Sequence, residues 1–151
     1  MNVEALTNNE LIERVYGLLP LWKMCGPVPV RSAGDATLVF DLEDGCIRHA
    51  DMRPWLSLQD GKLQGAEAYQ WGVKFLLQQP RIQRVQIAYE TAWSACHLYV
   101  LSSEGFTDVK SFPADTDVEA VMRAVVWASE SEAPDTRVGE DVAVAVKDGK
   151  A

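Results

Sequence analysis

Three short runs of strand-forming residues constrain the fold of this chain most strongly. They cover about Arg84 to Tyr89, Ala95 to Leu101 and Thr107 to Phe112, and turn-forming residues separate them. Such short spacing implies hairpins between successive strands. The middle run is apolar on both faces, which is typical of a central strand. The sequence therefore predicts an antiparallel arrangement with Ala95 to Leu101 in the middle.

Three segments carry apolar residues at helical spacing. They run from about Asn8 to Leu19, from near Gly65 to Gln79, and from Thr116 to about Ser129. Capping-box spacing starts the first segment at Thr7 and the third at Thr116. Pro20 and Pro80 prevent the first and second helices from continuing. Gly72, within the second segment, is expected to permit the close approach of a neighbouring element.

The region between the first two helices reads mostly as irregular. Three prolines and two glycines predict a loop from Pro20 to Asp35. Ala36 to Glu43 alternates as a strand and ends in a turn, and the pattern leaves open whether the strand continues through Cys46 to Arg48. A second loop is expected from Asp51 to Gln64, with a turn at Asp60-Gly61.

These elements predict an α+β fold in the order α-β-α-β-β-β-α. The economical architecture is an antiparallel sheet of about four strands with helices packed on its faces, an α/β/α sandwich. One domain is expected over residues 1–130. Residues 131–151 read as an acidic, disordered tail, in which only Val142 to Val146 suggests a strand.

Charge and cysteine usage narrow the classes of function. The chain has 22 acidic and 14 basic side chains, a net charge of −8. That charge disfavours nucleic acid and anionic membranes as partners and permits docking on a basic protein. Three cysteines without disulfide spacing, and no signal-peptide pattern, predict a cytoplasmic protein. No apolar run is long enough to span a bilayer.

Cysteine and histidine side chains form the densest cluster of candidate ligands. The set is Cys46, His49, Cys96 and His97. Cys46 and His49 have chelating spacing, but adjacent residues on a strand point to opposite faces, which argues against a four-ligand zinc site. We therefore expect no metal, cofactor or catalytic residue. The spacing leaves open a thiol nucleophile activated by a histidine.

Acidic residues around the Glu43 turn and the five tryptophans are the remaining candidates. Asp41, Glu43 and Asp44 lack the spacing of a cation-binding loop and are read as a solvated strand end. Trp71 and Trp127 fall in helices and are expected in the core. Trp22, Trp55 and Trp93 fall in predicted loops, where an indole can anchor a partner protein, and are therefore the candidate partner-binding residues.

The chain resembles a family of bacteriophage and prophage proteins described as the phage ABA sandwich domain. The similarity runs over about residues 6–129. It is carried by the opening helix, the segment Ala68 to Leu77, the strands around Trp93, and the segment Val121 to Ala128. The resemblance implies a phage-related origin and a sandwich of helices and sheet. It implies no catalytic residues.

Acidity, size and the resemblance together predict a non-catalytic interaction protein of a phage or prophage, acting on a host protein as an inhibitor. One alternative is an immunity-type protein that caps a basic toxin. Another is a small metal- or thiol-dependent enzyme that uses the cysteine and histidine cluster. The chain is expected to be a monomer or a homodimer, since the apolar segment Leu21 to Val30 also suits a dimer contact.

Overall fold

The computed structural model describes residues 2–131, which form three α-helices and nine strands. The helices are α1 (Asn8–Leu18), α2 (Ala66–Leu77) and α3 (Asp117–Ser131), and a short 3-10 turn, Val3–Ala5, precedes α1. The strands are β1 (Leu21–Cys25), β2 (Val28–Ala33), β3 (Ala36–Asp41), β4 (Cys46–His49), β5 (Pro54–Gln59), β6 (Lys62–Gln64), β7 (Ile82–Tyr89), β8 (Ser94–Leu101) and β9 (Thr107–Ala114). The fold is therefore mixed α+β, as predicted.

The strands form two antiparallel sheets rather than one. β1 to β6 follow one another across a six-stranded sheet, and β7 to β9 across a three-stranded sheet. The prediction of a single sheet of about four strands, with one strand before the second helix, is wrong in these details. The three hairpin-connected strands after α2 are confirmed, as is the central place of β8.

Both predicted loops before α2 are wrong, because they contain strands. The segment Pro20 to Asp35 forms β1 and β2, and the segment Asp51 to Gln64 contains β5 and β6. β4 begins at Cys46 as a separate strand paired with β3, so the chain turns back after Asp41 instead of extending one strand.

Most of the prolines and glycines that suggested loops lie between strands or at their ends, although Pro29 is the second residue of β2. Pro27 lies in the β1–β2 turn, and Pro54 is the first residue of β5, where a missing amide is tolerated. Asp60 and Gly61 both have positive φ, at 55° and 76°, which is the type I′ turn that closes a two-residue hairpin. Turn residues therefore mark tight reversals here, and six short strands fit into forty-four residues from Leu21 to Gln64.

Helix α3 lies at the centre of the core and contacts both other helices and both sheets. Its buried apolar residues are Val118, Ala120, Val121, Met122, Ala124, Val125, Val126 and Ala128. The predicted close approach at Gly72 is confirmed, since a Cβ there would lie 2.6 Å from atoms of Met122 and Val121. The α2–α3 contact therefore requires a residue without a side chain on α2.

Helix α1 leads directly into the six-stranded sheet. It begins at the predicted capping box, in which Thr7 and Glu10 each accept a hydrogen bond from the other's backbone amide. Its predicted apolar stripe is buried against β4, β5 and α3. Because α1 ends at Leu18 and β1 starts at Leu21, the position of α1 fixes where the sheet begins.

Two sequence predictions concern features beyond the globular core. The tail predicted over residues 131–151, with its Val142 to Val146 run, lies outside the described residues except for Ser131, the last residue of α3.

Among the helices of residues 2–131, none combines the length and apolar character that crossing a lipid bilayer requires.

Candidate functional site

The hairpin formed by β1 and β2 presents a cluster of exposed apolar side chains. Leu21, Trp22 and Met24 are 53%, 58% and 55% exposed, and Val28 across the turn is also exposed. Every residue of β1 is exposed. Single exposed apolar residues are normal, but a contiguous group on one hairpin is typical of a surface that binds another molecule.

Two side chains hold this hairpin on α1. The Tyr16 hydroxyl donates a hydrogen bond to the Pro29 carbonyl, and Arg31 donates to the Leu19 carbonyl at 2.6 Å. The Arg31 guanidinium also lies over the Tyr16 ring, 5.3 Å from its centroid. Burial raises the pKa of Tyr16, so its hydroxyl remains a donor at neutral pH. The hairpin is therefore positioned by the buried face of α1.

Trp22 projects from a β-bulge. Leu21 pairs with Arg31 whereas Lys23 pairs with Val30, so β1 carries one extra residue, Trp22, between them. A bulge re-aims a side chain and interrupts regular pairing, and bulges are frequent at sheet edges. The Lys23 ammonium lies 4.4 Å from the centroid of the Trp22 ring. Trp22 is thus presented outward, with a cation beside it.

An apolar groove adjoins the hairpin on the side facing α1. Its volume is about 320 Å³. Its lining residues are Glu13 and Tyr16 of α1, Pro27, Val28 and Pro29 of the hairpin, and Phe40 and Leu42 near the end of β3. Val28 belongs to both the groove and the exposed cluster. The hairpin and groove therefore form one continuous apolar surface, which we call the hairpin surface.

β1 differs from the other edges of the two sheets. In residues 2–131, β1 pairs only with β2, so its outer edge has no strand partner. At the other end of that sheet, Thr116 donates a hydrogen bond to the Leu63 carbonyl of β6, and α3 contacts that strand. β7 carries exposed Gln83, Arg84 and Gln86, and β9 carries exposed Asp108, Lys110 and Pro113. Polar, charged and proline residues discourage pairing at an edge. β1 alone among these four edges is both open and mainly apolar.

The charge around the hairpin surface differs from that of the whole chain. The segment from Arg14 to Gly34 contains three basic residues, Arg14, Lys23 and Arg31, and no acidic one. The chain as a whole has a net charge of −8. Arg14 lies in α1 and is ion-paired with Glu130, whereas Lys23 and Arg31 belong to the hairpin, so the hairpin is a locally basic, apolar part of an acidic protein, although Glu13 borders the groove.

A second concave surface lies between α2 and the β2–β3 turn. Its volume is about 500 Å³, and Trp55, Trp71 and Phe75 form its aromatic wall. These rings pack on one another, with centroids 5.8 Å apart for Trp55–Trp71 and 5.5 Å for Trp71–Phe75. At one end, His49 Nε2 lies 2.9 Å from Glu67 Oε1. Mutual packing of its rings is typical of the margin of a hydrophobic core.

The three tryptophans predicted to bind a partner have different environments. Trp22 is exposed on β1, and Trp93 is 46% exposed at the β7–β8 turn. The loop position predicted for Trp55 is wrong, because Trp55 lies in β5 and is only 2% exposed. Pro54 suggested a loop there but begins a strand instead. So deeply buried an indole cannot anchor a partner without unpacking the core.

The cysteines and histidines are not gathered into one site. Cys46 lies in β4 of one sheet and Cys96 in β8 of the other. Cys96 is buried whereas His97 faces the other side of β8, as predicted, and His97 Nδ1 lies 2.7 Å from Ser111 Oγ. Burial raises the pKa of both thiols, that of Cys96 to about 12. Thiols with raised pKa are poor nucleophiles and poor metal ligands at neutral pH.

One acidic group near the β3–β4 turn has ligand atoms within 4.8 Å of one another: Asp41, Asp44 and Cys46. The Arg48 guanidinium already bonds both carboxylates, at 2.9 Å to Asp41 and 2.6 Å to Asp44. Glu43, predicted with them, is not in this group. The arrangement is therefore an ion-paired hairpin end, with arginine as its cation.

The hairpin surface is the feature that sequence reasoning missed as structure. The sequence pattern indicated that Leu21 to Val30 is apolar but predicted a loop for this segment. The available signal was Gly26-Pro27, a turn dipeptide flanked on both sides by apolar runs of strand length.

Comparison of the chain with family models, with curated proteins and with solved structures found no match in any of the three.

Proposed function

We propose that this protein is a non-catalytic interaction module that binds a partner protein through the hairpin surface, with Trp22 as its anchor. The observation that carries the proposal is the exposure of Leu21, Trp22 and Met24 on a strand with an open edge. Tryptophan is one of the residues enriched at the energetic centre of protein interfaces. The adjoining groove offers a concave apolar surface for a partner side chain.

The other candidate sites support a non-catalytic role. Two of the three thiols are buried with raised pKa, and Arg48 is ion-paired with both carboxylates of the acidic group beside Cys46. The exposed Cys25 belongs to β1 itself, within the hairpin surface. These features favour binding over thiol or metal chemistry.

The resemblance to the phage ABA sandwich family extends the proposal to origin and biological role. A phage or prophage origin would make a host protein the natural partner, and binding would then inhibit it. An immunity-type protein that caps a basic toxin would also suit the net charge of −8. The hairpin surface itself lacks carboxylates other than Glu13, so it favours a partner that is mainly apolar where it contacts β1.

Affinity capture with two matched variants tests the proposal. The tagged full chain, Trp22→Ala and Trp93→Ala are used to capture proteins from a host lysate, and binding of the recovered partner is then measured with purified protein. Both substitutions remove one exposed indole, so both variants should keep the wild-type unfolding temperature. We expect Trp22→Ala to weaken binding by about tenfold or more and Trp93→Ala to change it little.

Equal partner binding by the wild type and Trp22→Ala would contradict the proposal. Loss of binding only in Trp93→Ala would move the docking surface to the three-stranded sheet. Measuring the partner's own activity with and without this protein then distinguishes an inhibitor from a passive binder.

A further inference from the structure

We propose that the open edge of β1 accepts an extended strand of the partner protein, and that this strand is apolar with an acidic residue facing Lys23. This inference rests on the proposed function and specifies the partner's chemistry. The bound strand would extend the six-stranded sheet by one. Main-chain hydrogen bonds would provide affinity, and side chains beside Trp22 and Lys23 would provide selectivity.

The geometry of the edge calls for an extended backbone. β1 is a strand of five residues that pairs with β2 on one side and, in the described chain, with nothing on the other. Backbone amides and carbonyls on an open edge are satisfied by water or by another strand. Exposed Leu21, Trp22 and Met24 favour apolar side chains on the incoming strand, since these would cover them.

The charge of Lys23 determines which extended strands pair well with β1. Lys23 is the one charged residue of β1, and no carboxylate occurs between Arg14 and Gly34. Opposite charges on neighbouring strands stabilise pairing, whereas like charges directly opposite each other destabilise it. An acidic residue opposite Lys23 therefore turns an edge-protecting lysine into a recognition contact.

The same lysine disfavours a second copy of this chain as the occupant. Full antiparallel pairing of β1 with its own copy would place Lys23 opposite Lys23 of the second molecule. Two chains of net charge −8 also repel each other. The bulge at Trp22 adds a mismatch between two identical strands. A different strand with an acidic residue at that position replaces the Lys23–Lys23 repulsion with an attraction.

Another candidate occupant is present in the chain's own sequence. Glu140 and Asp141 are followed by the run Val142 to Val146, in which valine and alanine alternate. The segment 140–146 is therefore both acidic and apolar. These residues lie outside the described part of the chain. Their composition matches the strand proposed here, so the experiment must distinguish them from a partner.

Peptide titration of the full chain tests the inference directly. The probes are capped ten-residue peptides of alternating valine and threonine with glutamate or lysine at one central position, and a glutamate peptide that is N-methylated at alternate amides. Binding is followed by the NMR amide signals of residues 21–25 in the wild type and Lys23→Glu.

We expect the glutamate peptide to shift the amide signals of β1 and to bind the wild type about two- to fivefold more tightly than the lysine peptide. Lys23→Glu should reverse that order. The N-methylated peptide, which cannot form the full ladder of hydrogen bonds, should not shift these signals. An equal affinity for the glutamate and lysine peptides in both proteins would overturn the charge selection, and binding of the N-methylated peptide would overturn the strand geometry.

Two further outcomes would overturn the choice of occupant. Protection without peptide of the β1 amides that point away from β2, together with a doubled mass, would assign the edge to a second copy. Protection without peptide that Val144→Asp abolishes would assign the edge to the chain's own segment. Failure of the peptides to bind, while Trp22→Ala still loses the captured partner, would leave the proposed function standing and show that the partner docks in another conformation.

Discussion

At the scale of single residues, two tryptophans with similar sequence surroundings differ in their exposure to solvent. Trp22 and Trp55 both stand near prolines in apolar surroundings, yet one is exposed on β1 and the other is buried in β5. The difference arises because Trp55 lies on an interior strand of the sheet, which begins at Pro54, whereas Trp22 lies on the outermost strand. Neighbouring strands bury an indole, and single-sequence patterns do not show which strands become neighbours.

The three cysteines differ in the same way, which predicts their reactivity. Cys25 is exposed, whereas burial raises the pKa of Cys46 and Cys96. We expect one thiol per native chain to react rapidly with a disulfide reagent at pH 8, and the other two to react only on unfolding. Cys25→Ser should remove the rapid phase. More than one rapid equivalent would contradict the burial of the other two.

At the scale of elements, the contact between α2 and α3 depends on one small residue. Gly72→Ala would place a methyl group 2.6 Å from side-chain atoms of Met122 and Val121. We expect this variant to lose about 1 to 3 kcal/mol of unfolding free energy through overpacking, measured by urea denaturation.

Gly17 in α1 provides the matched control, since a Cβ there meets nothing within 4 Å. Gly17→Ala should gain about 0.5 to 1 kcal/mol from helix propensity alone. Stabilisation of the protein by Gly72→Ala would show that the two helices do not approach as closely as described.

The β3–β4 hairpin predicts a pH dependence. The hydrogen bond from Arg48, aided by backbone amides at the turn, lowers the pKa of Asp41. A lowered pKa stabilises the fold above the ordinary value of about 4, and that stability is lost as the pH falls through the folded-state pKa. Asp41→Asn should therefore be less stable than the wild type at pH 7, with a difference that shrinks below about pH 4.

Glu43→Gln in the same turn makes the same change of charge but leaves the Arg48 contacts in place. It should show a smaller difference at pH 7, measured by thermal unfolding across the pH range. A difference between wild type and Asp41→Asn that stays constant from pH 7 to pH 3 would argue against the ion pair as its cause.

Helices and the last three strands were predictable from the sequence because each depends on local signals. Capping boxes, prolines after helices and period-two alternation act over a few residues. The six-stranded sheet was not predictable in this way. β1 directly follows Pro20, β2 contains Pro29, and β6 has only three residues, so none of these strands resembles an isolated strand. Their pairing depends on neighbours that the sequence does not identify.

At the scale of the whole molecule, charge and apolar surface are distributed unequally. The chain is strongly acidic overall, yet the exposed side chains of Leu21, Trp22, Met24 and Val28 lie in a stretch from Arg14 to Gly34 without carboxylates. Net charge alone suggested a basic partner, because composition does not show where the charges lie. The hairpin surface favours instead a partner that is apolar and acidic at the point of contact.

That contrast predicts how binding responds to salt. If Lys23 faces an acidic residue of the partner, raising the ionic strength should weaken binding modestly, because exposed pairs are screened. Lys23→Met, which keeps an apolar chain of similar length, should show weaker binding at low salt and a smaller salt dependence than the wild type. Stronger binding of Lys23→Met at low salt would contradict an acidic contact.

Hydrogen–deuterium exchange of the free chain and of the captured complex tests the central claim most directly. We predict that those amides of Leu21 to Cys25 that point away from β2 exchange rapidly in the free protein and become protected in the complex, while exchange around Trp93 is unchanged. Protection confined to the Trp93 turn or to the cleft beside Trp71, with β1 still exchanging rapidly, would contradict the claim that this protein binds through β1.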